Sequence, residues 1–126
     1  MEVTELEKAV VGQFLRDPEL SPLNREVNLE KARVINREST GVGILTEFEP
    51  SQEVKLFADG VSLRWGKVGV RLNASTIETS YVVYVDNGYL TTIEGYTYGN
   101  DWPESISSIE LYELKPGMEL GSGGHS

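Results

Sequence analysis

A chain of 126 residues, 39% hydrophobic and 25% charged, is long enough to fold as one domain around its own apolar core. It has no cysteine, which excludes disulfides, thiolate chemistry and cysteine-ligated metals, and its formal net charge of -9 argues against nucleic-acid binding through phosphates. No apolar run approaches membrane-spanning length, and the acidic, amphipathic start MEVTELEKAV does not read as a signal peptide, so a cytoplasmic location is expected.

Val3, Leu6, Val10 and Phe14 recur at helical spacing, with Glu2, Glu5, Glu7 and Lys8 on the opposite side. The pattern predicts an amphipathic helix from Glu2 to Arg16, stopped by Asp17-Pro18. Ser21-Pro22 reads as an N-cap followed by proline at the first helical position, which predicts a second helix through Lys31. Leu20, Leu23 and Val27 are its expected buried side.

From Ala32 the period changes to two. Strands are expected at Ala32 to Glu38 and at Val42 to Phe48, joined by a turn at Ser39-Thr40-Gly41, with Val42, Ile44, Thr46 and Phe48 on one face. Gly41 and Gly43 lack the spacing of a phosphate-binding loop, and they mark a turn and a close approach of another backbone or ring. A further strand is expected at Glu53 to Phe57, followed by a turn at Asp59-Gly60. The next begins at Val61 to Arg64, is broken or bulged at Trp65-Gly66-Lys67, and resumes through Val68, Val70 and Leu72.

The strongest local signal is Asp86-Asn87-Gly88, because a two-residue type I′ turn needs positive φ at both central positions. Simple pairing then sets Val85 opposite Leu90, Tyr84 opposite Thr91, Val83 opposite Thr92, Val82 opposite Ile93 and Tyr81 opposite Glu94. One face carries Val83, Val85, Leu90 and Thr92; the other carries Val82, Ile93, Tyr84 and Tyr89. Gly95 inside the second strand marks a bulge or a close approach, and Trp102-Pro103 ends the regular pairing. A last strand is expected from Ile106 to Leu114. The fold is therefore α+β, two N-terminal helices on a mostly antiparallel sheet of six or seven strands. Residues 1–114 form the domain and 115–126 a flexible tail.

The one histidine, His125, falls in that tail. This argues against a Ser-His-Asp triad, a Cys-His pair or a histidine-ligated zinc inside the fold. Carboxylates remain: Asp86 at the turn, Glu94 beside Gly95, and Asp101 among Tyr96, Tyr98 and Trp102. From Ser80 onward Lys115 is the only Lys or Arg, against Asp86, Glu94, Asp101, Glu104, Glu110, Glu113 and Glu119. Arg64 and Arg71 are either solvated or paired with this acidic third across the sheet.

Tyr81 to Pro103 has two readings: its rings cover one end of the sheet, or Tyr89, Glu94, Tyr96, Tyr98, Asp101 and Trp102 form an acidic aromatic surface that binds a protein. The string DNGYL, EGYTYG and WP, over Val82 to Pro103, resembles a signature of short uncharacterised bacterial proteins. The resemblance implies a small bacterial cytoplasmic protein and brings no activity, cofactor or catalytic residue. The leading expectation is a small non-enzymatic interaction module, a regulatory adaptor or immunity-type inhibitor, that binds a protein partner; the acidic third either favours a basic partner or simply keeps the protein in solution. The alternative is a small-ligand or carboxylate-dependent enzymatic domain with a pocket near Glu94 and Asp101, and a homodimer is a third arrangement. No cofactor, metal, nucleic acid or membrane is expected as a partner.

Overall fold

Helix α1, Glu5–Leu15, starts where a reciprocal capping box closes: the Glu7 N–H donates to Thr4 Oγ1 (3.1 Å) and the Thr4 N–H donates to Glu7 Oε1 (2.9 Å). The structure is a computed structural model and describes residues 2–74, 77–98 and 102–114. Val10, Val11, Phe14 and Leu15 of α1 are buried. Phe14 packs at 5.2 Å from Trp65 and 5.7 Å from Phe57, so the helix is held by aromatic contact as well as burial.

The second predicted helix does not form. Over residues 21–31 the only helical structure is a 3-10 turn at Leu29–Lys31. Local polar groups capture the backbone first. Asn24 and Asn28 each accept an N–H two residues on, from Glu26 and Glu30, an arrangement that competes with helix. The Leu23 N–H donates out of the segment to the Leu56 carbonyl (2.8 Å), and the Arg25 guanidinium donates to the carbonyls of Leu15, Asp17 and Leu20. Leu23, expected on a buried face, is 61% exposed.

Among the described residues six antiparallel strands form one sheet: β1 (Val34–Ser39), β2 (Gly43–Phe48), β3 (Leu63–Leu72), β4 (Ile77–Asp86), β5 (Tyr89–Thr97) and β6 (Ile109–Glu113), in the order β1-β2-β5-β4-β3-β6. The central hairpin turns through Asn87 (φ 49°) and Gly88 (φ 85°), as the sequence predicts. A bulge around Thr91 then shifts the register by one. Val83 pairs with Ile93, Val82 with Glu94 and Tyr81 with Gly95. Unbulged pairing would turn Ile93 away from the helix. The extra residue returns it to the core, where it is fully buried beside Val83 and Leu90.

Residues 53–57 are not a strand. A 3-10 turn at Gln52–Val54 leads to a single bridge between Lys55 and Tyr89, and the N–H groups of Leu56 and Phe57 both donate to the Gly88 carbonyl (2.9 and 3.0 Å). The segment thus caps the hairpin, burying Val54, Leu56 and Phe57. The irregularity expected at Trp65 to Lys67 is present as a register shift between Trp65 and Val68. Helix α1 packs on one face of the sheet, and among the described residues no helix covers the other.

Candidate functional site

Of the six residues predicted to form one surface, the five described ones do not share one. Tyr89 lies at the hairpin end, half-buried, with Lys55 Nζ 4.6 Å from its ring centre. Trp102 packs on the helix side, edge-on to Tyr81 at 6.1 Å between ring centres. Asp101 lies outside the described residues. Glu94, Tyr96 and Tyr98 share the helix-free face, because they alternate with Ile93, Gly95 and Thr97 on β5.

On that face a polar aromatic ribbon crosses four strands. Arg64 lies over the Tyr84 ring (5.4 Å), and the Tyr84 hydroxyl donates to Glu94 Oε1 (3.0 Å). Tyr96 and Tyr98 follow with ring centres 5.7 Å apart, and the Tyr98 hydroxyl shares a short hydrogen bond with Ser80. The Tyr112 ring occupies the space over Gly69, where a Cβ would meet it at 2.4 Å. Its hydroxyl donates to Glu78 Oε1 (3.2 Å), and Arg71 covers its ring at 4.2 Å. Burial first, then the nearby Glu78, pushes Tyr112 up to about 12. Burial and the Glu94 hydrogen bond also raise Tyr84. Both phenols are therefore neutral donors at physiological pH. Arg71 reaches Glu78 and Glu110 at 3.9 Å each, so this arginine joins the acidic third of the chain, the second of its two expected roles.

The helix side holds a second arrangement. A cavity of about 430 Å³ lies between the start of α1, the inner faces of β1 and β2, Tyr81 of β4, and residues 102–109. Its buried carboxylate is Glu7. Oε1 accepts from Arg37 (2.8 Å) and the Thr4 N–H (2.9 Å); Oε2 accepts from Arg37 Nε (3.0 Å) and the Thr46 hydroxyl (2.7 Å). Burial alone would raise this carboxyl, but the bonds from Arg37, Thr4 and Thr46 outweigh it and hold Glu7 below its ordinary value. Residues 102–109 form one wall of this half-open cavity and are tied at both ends. The Trp102 N–H donates to the Gly41 carbonyl (2.9 Å), and Asn73 accepts from the Ser107 N–H (2.7 Å).

Glu7, Arg37 and Tyr81 were not singled out as site residues from the sequence. Thr4-x-x-Glu7 is legible as a capping box, but the pairing of Glu7 with an arginine thirty residues on is set by the fold. Glu94 is not among the residues lining this cavity. Among the described residues no group of three His, Cys, Asp or Glu side chains is placed to hold a metal ion, and no helix is long and apolar enough to cross a membrane. Comparison of the chain with protein-family models, curated proteins and solved structures finds no match.

Proposed function

We propose that the chain is an interaction module that receives a basic protein surface on the helix-free face of its sheet. The observation that carries this reading is the row of Arg64, Tyr84, Glu94, Tyr96, Tyr98, Tyr112 and Arg71 on one face, with the hydroxyls of Tyr84, Tyr98 and Tyr112 held by Glu94, Ser80 and Glu78. Tyrosine held in one rotamer offers large contact area at small entropic cost. Tyr96, 36% exposed, is the most exposed of these tyrosines.

Charge favours a basic occupant. Glu38, Glu47, Glu78, Glu94 and Glu110 alternate with inward residues on their strands, against Arg64 and Arg71 on the same face. With the net charge of -9, such a face accelerates encounter with a cationic partner, whose arginines gain further from the tyrosine rings. A regulatory adaptor and an immunity-type inhibitor both fit this behaviour.

The test is capture from a bacterial lysate, the source the resemblance implies, with three baits: wild type, Glu94→Lys/Tyr96→Ala and Trp102→Ala. The captured protein is then purified and its affinity measured from about 50 to about 300 mM salt. The reading requires a basic partner held by wild type and by Trp102→Ala, lost with the face variant, and weakened by salt. Capture indifferent to Glu94→Lys/Tyr96→Ala would sink it. So would self-association of the wild type that the face variant abolishes, since the face would then serve a homodimer.

A further inference from the structure

The cavity beneath residues 102–109 has a feature that the helix-free face does not explain. Tyr81 is 1% exposed, and its hydroxyl has no hydrogen-bond partner among the described residues. Tyr81 is among the residues that line the cavity, with Thr46 and the Glu7–Arg37 pair, and a ligand reaches its hydroxyl, which is itself fully buried, by a shift of the side chains around it. Buried hydroxyls are nearly always bonded, because an unmade bond leaves the full desolvation cost in place. We infer that the cavity is a binding site for a small uncharged carbonyl compound, with the Tyr81 hydroxyl donating to the carbonyl oxygen.

The lining selects that chemistry. Leu6, Ile44, Trp102, Pro103, Ile106 and Ile109 supply apolar walls suited to a hydrocarbon body. Glu7 accepts two hydrogen bonds on each oxygen, so it has no capacity left for a ligand donor and no role as a base. Its charge is matched by Arg37. A cation therefore finds no free carboxylate at the buried end, and an anion finds Arg37 already engaged by Glu7; the other carboxylates of the lining, Glu5 and Glu104, are exposed. The remaining demand there is for an acceptor. A ketone or ester oxygen only accepts, whereas an alcohol brings a donor that also needs a partner. Burial, with the Glu7 charge adding to it, drives the Tyr81 phenol well above its ordinary range, so it stays protonated and able to donate. The volume of about 430 Å³ suits a body of roughly ten non-hydrogen atoms.

Cyclooctanone is the probe. Titrated into the labelled wild-type chain, it should move the amide signals of Thr46, Tyr81 and Trp102 saturably, and the carbonyl stretch of the bound ketone should fall in frequency. Tyr81→Phe, which removes one oxygen and keeps the ring, should weaken binding about three- to tenfold and abolish the frequency shift, as expected for one lost neutral hydrogen bond. Ile44→Phe, which enlarges a side chain of the lining, should abolish binding. Equal affinity in Tyr81→Phe would overturn the assignment by showing that apolar filling alone drives uptake. An unchanged wild-type spectrum up to the solubility limit would also overturn it, leaving a cavity that holds water only.

Discussion

The Tyr81 ring lies across Gly95, so close that a Cβ on the glycine would stand 2.6 Å from Tyr81 Cε2. The two residues are direct partners across β4 and β5, and the missing side chain on one makes room for the ring of the other. Gly95→Ala forces the ring to move in a packed core, which costs about 1–3 kcal/mol. Urea unfolding checks this, and the contact is isolated by repeating the substitution in a Tyr81→Leu background. There the alanine should cost less than half as much. An equal cost in both backgrounds would place the strain elsewhere.

Glu7 and Arg37 form a two-point pair at the inner end of the cavity, with the Glu7 side chain 6% exposed. Glu7→Gln keeps the shape and leaves Arg37 without its anionic partner, for an expected loss of about 3 kcal/mol at pH 7. The pH dependence follows from the direction of the shift. The folded carboxyl titrates below its unfolded value of 4.5. Its stabilisation is therefore present above that value and is lost as pH falls through the lower, folded value. The gap between wild type and Glu7→Gln should be full at neutral pH and shrink below about pH 4. A gap that stays constant to about pH 2.5 would mean that ionisation of Glu7 contributes nothing.

Period and turn chemistry make much of this fold legible before any coordinates. Asn87-Gly88 places the central hairpin, the alternation of Val68, Val70 and Leu72 places β3, and Gly95 marks a close approach. The failures share a cause. Ser21-Pro22 opens a plausible helix, but Asn24, Asn28 and the reach of Arg25 offer the backbone other partners at short range. The bulge at Thr91 answers a tertiary demand, the burial of Ile93, that no local rule contains. The candidate site was legible only in pieces. Tyr96, Tyr98 and Trp102 lie close in sequence, yet Tyr98 reaches Ser80 on one face while Trp102 meets Tyr81 on the other.

Asp17, in the sequence simply the end of the first helix, is buried and accepts the Trp65 indole N–H at 2.7 Å. That bond and the Glu19 N–H, against some desolvation, hold its carboxyl below the ordinary range, with Lys67 adding a contact at 3.2 Å. Asp17→Ala removes the acceptor of a buried indole N–H and should cost about 2 kcal/mol. Trp65 emission reports it directly: the indole loses its charged partner, and the spectrum should shift in the folded protein. Asp17→Asn keeps an acceptor oxygen and should recover more than half of the stability. Equal losses for Asn and Ala would assign the effect to charge rather than to the hydrogen bond.

The hydroxyl of Tyr81 gives the sharpest contrast between stability and binding. In the core beside it, Val83 and Ile93 bury only carbon, whereas the phenol carries a polar atom with no partner among the described residues. Removing an unsatisfied buried polar group recovers its desolvation cost, so Tyr81→Phe should raise the unfolding free energy by about 1 kcal/mol. The ring stays in place over Gly95, and neither the packing against Trp102 nor the slope of unfolding against urea should change. A residue that lowers stability in the free protein and contributes affinity in the complex is typical of a binding position. Urea unfolding of both proteins, with and without saturating cyclooctanone, separates these effects. Without ligand the phenylalanine variant should be the more stable; with ligand the difference should shrink or reverse, because the ketone stabilises the chain that binds it more tightly. If Tyr81→Phe is instead less stable by 1 kcal/mol or more, the hydroxyl is hydrogen-bonded in the free protein, and the demand for a ligand acceptor disappears with it.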